Sequence, residues 1–137
     1  MPFFQPNELP RLMVAPNGAR KVKKDHPEVP LTIEETVEVA KNCFKAGAGA
    51  IHLHVRNEKG EHVLDAGLYK EALKELEFKV PKMHIQVTTE AVGKYYPEDM
   101  RDNIKLIQPV LFHAFPGILG PYSRRLLLVV PGIFLDR

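Results

Sequence analysis

The chain has one cysteine, nearly balanced charge and no long apolar segment, and each of these features narrows its class. The single cysteine, Cys43, excludes an intramolecular disulfide and is typical of a reducing compartment, so we expect a cytoplasmic protein. A formal net charge of +2 over 137 residues provides no basic surface for nucleic acid. No apolar run reaches the roughly 18 residues of a transmembrane helix, and residues 1–6 lack the features of a signal peptide. One globular domain without a nucleic-acid or membrane partner is expected.

Helices and strands are predicted to alternate with the rhythm of parallel βαβ units. Strands are predicted at residues 11–15, 50–55 and 83–88. Thr32 and Glu35 have the spacing of a capping box and predict a helix start, and Gly47 predicts its end. A second helix is predicted to follow Asp65, and a third to begin near Pro97.

Two histidines lie two residues apart near the end of the second predicted strand. Alternation along a strand places His52, His54 and Arg56 on one side. Buried imidazoles need partners, and a divalent metal, most often zinc, is one that two neutral imidazoles can share. The competing interpretation is that of core histidines that bond to backbone or water. Arg56 predicts either an anion site or a structural salt bridge.

Polar residues collect at the carboxyl ends of three predicted strands. They are Asn17, His52, His54, Arg56, Thr88, Thr89 and Glu90. Because active groups of parallel α/β sheets gather at these ends, the convergence predicts a functional site.

The last 29 residues differ in character from the rest. Of the 19 basic and 17 acidic residues, only four lie in residues 109–137, together with four prolines and an apolar run at 126–130. No clear helical or strand period is present. We therefore expect an irregular tail that does not continue the fold, as a shifted reading frame or disorder would produce.

Five stretches carry a resemblance to a known family. They are residues 15–19 (APNGA), 30–35 (PLTIEE), 46–48 (AGA), 52–56 (HLHVR) and 85–89 (IQVTT). In order and spacing, residues 1–108 resemble the beginning of the β-keto acid cleavage enzymes, of the 3-keto-5-aminohexanoate cleavage enzyme type. The resemblance implies the N-terminal part of a (β/α)8 TIM-type barrel, about three βα units long. It also implies a zinc-dependent reaction of a β-keto acid with acetyl-CoA that gives acetoacetate and a new acyl-CoA, and a homo-oligomer.

The resemblance also assigns roles to residues. It makes His52 and His54 metal ligands and brings Thr88 and the backbone near Ala91 to the keto acid. Arg20 stands where amino-substrate members have a glutamate for the ammonium group, which predicts a neutral or acidic substrate instead. With the strand-end residues, the predicted substrate-binding set is Asn17, Arg20, Arg56, Thr88, Thr89 and Ala91.

The family's third metal ligand, a late-strand glutamate, and its CoA-handling residues have no counterpart in the 137 residues. We therefore expect no activity from this chain alone and assign no catalytic residue. Two alternatives are a regulatory fragment that pairs with a full-length homologue, and a metal-independent α/β enzyme that uses His52 and His54 for acid–base chemistry.

Overall fold

Strands and helices alternate in the computed structural model, which describes residues 10–88, 90, 92–111 and 127–129. The strands are β1 (Leu12–Val14), β2 (Ala50–Leu53), β3 (Val55–Arg56), β4 (His62–Val63), β5 (His84–Val87) and β6 (Leu127–Val129). The helices are α1 (Ile33–Lys45), α2 (Ala66–Lys79) and α3 (Pro97–Leu111). This arrangement confirms the predicted α/β class.

Four strands form one parallel sheet in the order β5-β2-β1-β6. The helices α1, α2 and α3 pack against one another in succession. β1, β2 and β5 therefore follow the sequential order expected of a barrel, whereas β6 pairs with β1 and not with β5. The described strands form an open sheet, so the barrel itself stays a prediction.

Two short parts of the predicted 109–137 tail are described, and both have regular backbone structure instead of the irregular structure expected. α3 continues to Leu111, and the backbone of residues 127–129 forms a strand. A strand of three residues has no readable period in a sequence, and this one is defined by its pairing with β1. That residues 109–137 do not belong to the family's fold stays a prediction.

The predicted helix signals are confirmed. Thr32 and Glu35 form the complete capping box at the start of α1, and Gly47 follows the helix with a φ of +106°, a left-handed conformation that glycine adopts without strain. The Asp65 side chain caps α2 by accepting from the backbone N–H of Leu68 at 2.8 Å. No helix within the described residues is long and apolar enough to cross a bilayer.

The core lies between the sheet and the helices. Its fully buried side chains include Ile51, Leu53, Tyr69, Leu76 and Ile107. Gly49 lies directly before β2 and packs against Pro10. A side chain would not fit at this position, because a Cβ on Gly49 would lie 2.6 Å from the Cβ of Pro10.

The predicted strand at residues 50–55 is divided in two. β2 ends at Leu53, and β3 pairs antiparallel with β4, with Arg56 opposite His62. A turn over residues 57–60 joins β3 to β4. His52 and His54 therefore lie where the chain leaves the parallel sheet for this hairpin.

Candidate functional site

His52 is oriented by the neighbouring strand. It lies opposite Gln86 in the register of β2 and β5, and its Nδ1 is 2.6 Å from Gln86 Oε1. An amide oxygen only accepts hydrogen bonds, so Nδ1 of His52 carries the proton. In the neutral ring, Nε2 then keeps its lone pair.

His54 contacts the histidine rings on either side of it. Its ring centroid is 5.0 Å from that of His52 and 5.1 Å from that of His62, edge to face in both cases. Its Nδ1 is 3.4 Å from Nδ1 of His62, and Nε2 of His62 is 2.9 Å from the backbone carbonyl of Glu90. We call His52, His54 and His62 the histidine cluster.

Burial favours the neutral form of two of these three histidines, His54 and His62. His54 is 3% exposed, and its burial, followed by the positive potential of His52, His62 and Arg56, lowers its pKa to about 3. Burial also lowers the pKa of His62. Neutral imidazoles are the form that binds metal ions.

Arg56 fastens the loop after β1 to the hairpin. Its Nη1 donates to the carbonyl of Gly60 at 2.7 Å, and its Nη2 to those of Gly18 and Lys21 at 2.7 and 2.9 Å and of Asn17 at 3.3 Å. Nε is buried without a partner among the described residues. Carbonyls, and not the carboxylate of a salt bridge, therefore occupy most of this guanidinium. Its substrate contact stays a prediction.

Asn17 and Thr88 hold the backbone on both sides of the histidines. Buried Asn17 donates through Nδ2 to the carbonyls of Pro30 at 3.1 Å and His54 at 3.4 Å. The backbone N–H of Thr88 donates to the carbonyl of Leu53 at 3.1 Å, which extends the β2–β5 pairing to the residue before His54. The structure thus places Asn17 and Thr88 close to the histidines, and their contact with a substrate stays a prediction.

The other predicted substrate residues have different positions. Arg20 is exposed on the loop that Arg56 fastens. Thr89 and Ala91 lie outside the described residues. Between them, Glu90 is exposed, and its N–H donates to the Thr88 hydroxyl at 3.1 Å.

The cluster offers fewer than three convergent ligands for a metal ion. Among the described residues, no group of three or more His, Cys, Asp or Glu side chains is arranged to hold one. His52 fits one position of a metal site, because its hydrogen bond to Gln86 through Nδ1 leaves a lone pair on Nε2. His54 fits a second position when its Nδ1 carries the proton of the contact with His62. Any further protein ligand has to come from outside the described residues.

The sequence motifs and this site can be compared with known proteins. The family model of the beta-keto acid cleavage enzymes matches residues 11–117, which is more than half of the 137 residues. The chain belongs to the β-keto acid cleavage enzyme family. The match runs past residue 108, where the sequence predicted the family part to end.

Curated relatives from this family are similar over shorter stretches. The 3-keto-5-aminohexanoate cleavage enzyme of Fusobacterium nucleatum is 36% identical over 97 residues, which are 70% of this chain and 33% of the relative. The enzyme of the same name from Acetoanaerobium sticklandii is 38% identical over 72 residues, 53% of this chain and 26% of the relative. A 3-oxoadipate:acetyl-CoA acetyltransferase of Cupriavidus necator is 35% identical over 78 residues, 57% of this chain and 28% of the relative. The chain spans about a third or less of these relatives.

The sequence pattern did not indicate His62 as a residue of the site in this family member. Its signal was the turn over residues 57–60, which separates two short segments and allows a hairpin. Folding that hairpin places His62 opposite Arg56 and against His54. The sequence predicted one uninterrupted strand at residues 50–55, and such a strand leaves no separate β3 to pair with β4.

Proposed function

We propose that this chain is the part of a β-keto acid cleavage enzyme that binds the catalytic metal and the keto acid. The complete reaction converts a β-keto acid and acetyl-CoA to acetoacetate and a new acyl-CoA. The observation that carries the proposal is the pair of histidines at the end of β2, His52 and His54, whose Nδ1 atoms contact Gln86 and His62. Family membership over residues 11–117 supports it.

Each residue of the site has a part in the proposal. His52 and His54 hold a divalent metal, which we take to be zinc, through Nε2. When bound, zinc supplies Lewis acidity toward the keto group of the substrate. Asn17 fixes the backbone carbonyl of His54, and Arg56 fixes the loop that carries Arg20. Thr88 begins the segment proposed to contact the keto acid.

Arg20 favours an acidic keto acid as the substrate. A cation at this loop repels an ammonium group and attracts a carboxylate. The name of the Cupriavidus necator relative includes 3-oxoadipate, a keto acid with two carboxyl groups, and that relative is about as similar to this chain as the two aminohexanoate-type enzymes. The sequence identities to the three relatives are too similar to distinguish between an acidic and an amino-bearing substrate. The proposal of an acidic substrate therefore depends on Arg20.

A chimera tests the reaction. The matching segment of the Fusobacterium nucleatum enzyme is replaced by the equivalent residues of this chain, and acetyl-CoA-dependent formation of acetoacetate is measured. We expect activity that His52→Asn or His54→Asn abolishes, and a shift from anionic toward cationic keto acids with Arg20→Glu. A folded, metal-loaded chimera without activity would refute the proposed function. The 137-residue chain alone is expected to be inactive, since it offers two histidine ligands.

The two alternative functions fare differently. A pKa of about 3 makes His54 a weak base at neutral pH, which disfavours metal-independent acid–base catalysis. The regulatory-fragment hypothesis gains support from β5, which has one neighbour in the described sheet order. An open strand edge can pair with another chain. Size-exclusion chromatography of this chain mixed with a full-length homologue tests the regulatory-fragment hypothesis. The same measurement on the chain alone tests the predicted homo-oligomer.

A further inference from the structure

His62 lies against the proposed ligand His54 and has no role in the proposed function so far. Its side chain is 4% exposed, and its position is set by a locally encoded turn. Asn57 Oδ1 accepts from the backbone N–H of Glu61 at 2.9 Å, and Gly60 has a φ of +77°. Hydrogen bonds within the hairpin therefore help to hold His62 against His54.

The hydrogen-bond partners fix where the protons of the cluster lie. The carbonyl of Glu90 only accepts, so Nε2 of His62 carries its proton and Nδ1 keeps a lone pair. Two lone pairs facing each other at 3.4 Å repel, so the proton between the Nδ1 atoms belongs to His54. His54 then has Nε2 free, as His52 has through Gln86.

We propose that His62 is a positioning residue for His54, which accepts the Nδ1–H of His54 and so keeps its Nε2 free to bind a divalent cation. The inference rests on the proposed function in taking His54 as a metal ligand. Ligand histidines commonly donate their other N–H to such a partner, and removal of the partner typically weakens metal binding about 10- to 100-fold. Gln86 has the same relation to His52.

The first experiment reads the tautomers without metal. The 137-residue chain is labelled with ¹⁵N-histidine, held in chelator near neutral pH, and its imidazole nitrogens are assigned by NMR. We expect the proton on Nδ1 in His54 and on Nε2 in His62. A proton on Nε2 of His54 would overturn the proposal.

The second experiment separates the acceptor from the bulk of His62. His62→Leu removes the acceptor, His62→Gln retains one, and His26→Asn removes an imidazole outside the cluster. These changes are made in the chimera described above, which supplies the remaining part of the enzyme, and its affinity for Co²⁺ is measured by the absorption spectrum and by competition with a chelator. We expect His62→Leu to weaken binding about 10- to 100-fold and to abolish the fixed tautomer of His54. His62→Gln should recover most of the affinity, and His26→Asn should lose none.

Three outcomes would contradict the proposal or its basis in distinguishable ways. An unchanged His54 tautomer in folded His62→Leu overturns the positioning role; if that variant does not fold, His62→Gln must retain the tautomer. Co²⁺ binding that survives His52→Asn but not His62→Leu overturns it too, because His62 would then be a ligand. If the chain has the expected tautomers but the chimera binds no Co²⁺, the proposed metal function is refuted, while the hydrogen bond between His54 and His62 stands.

Discussion

The burial of His54 predicts that mild acid destabilises the protein. The pKa of its imidazole falls from 6.5 to about 3 on folding, chiefly through burial. Below pH 6.5 the unfolded chain therefore binds a proton at His54, whereas the folded chain binds it only near pH 3. The free energy of unfolding is consequently not reduced by His54 above pH 6.5, and it declines as the pH falls from 6.5 toward 3.

The size of the effect follows from the two pKa values. Lowering the pH from about 7 to about 5 should reduce the free energy of unfolding by about 2 kcal/mol through His54 alone. His62 adds to this in the same direction, because burial lowers its pKa as well. Glu35, whose pKa is lowered by the backbone N–H of Leu31 and by Lys23, contributes only below its ordinary value of 4.5. The range from pH 5 to 7 therefore isolates the histidines.

The assay is urea denaturation of the metal-free chain in chelator, followed by circular dichroism at several pH values. The wild type should lose stability across the range, whereas His54→Asn should lose markedly less, whatever its stability at pH 7. His26→Asn, which changes a histidine outside the cluster, should retain the wild-type pH dependence. A wild-type free energy of unfolding that is constant from pH 7 to 5, or a pH dependence unchanged by His54→Asn, would refute the reasoning.

Three further substitutions test the supports of the site. Arg56→Lys should lower the free energy of unfolding by about 2 kcal/mol, because one ammonium group cannot make the hydrogen bonds that the two ends of the guanidinium donate to several carbonyls. Thermal denaturation measures this effect, and a melting temperature equal to that of the wild type would contradict it. Asp65→Ala should cost about 1 kcal/mol by removing the cap on Leu68, measured by urea denaturation, and Asp65→Asn should restore most of it. Gly49→Ala should destabilise the chain by about 1–3 kcal/mol, since its Cβ meets Pro10; in a Pro10→Gly background the same change should cost less.

The amino-acid sequence by itself determined the local elements and the family. The capping box at Thr32, the cap at Asp65 and the glycine stop at Gly47 depend on residues at most a few positions apart, so their chemistry is legible without a fold. The same holds for the spacing of His52 and His54. The family match over residues 11–117 agrees with the resemblance carried by the motifs.

Only the tertiary structure decided how these elements meet. The end of β2 at Leu53 and the pairing of β6 with β1 depend on contacts between segments distant in sequence. The turn of the hairpin is local, but the contact of His62 with His54 forms only when the hairpin folds. Arg56 illustrates the reason. A buried guanidinium takes whatever acceptors packing brings to it, and here these are carbonyls of a loop 35–39 residues away instead of a carboxylate. Sequence patterns report which groups need partners, and the packed chain determines which partners they find.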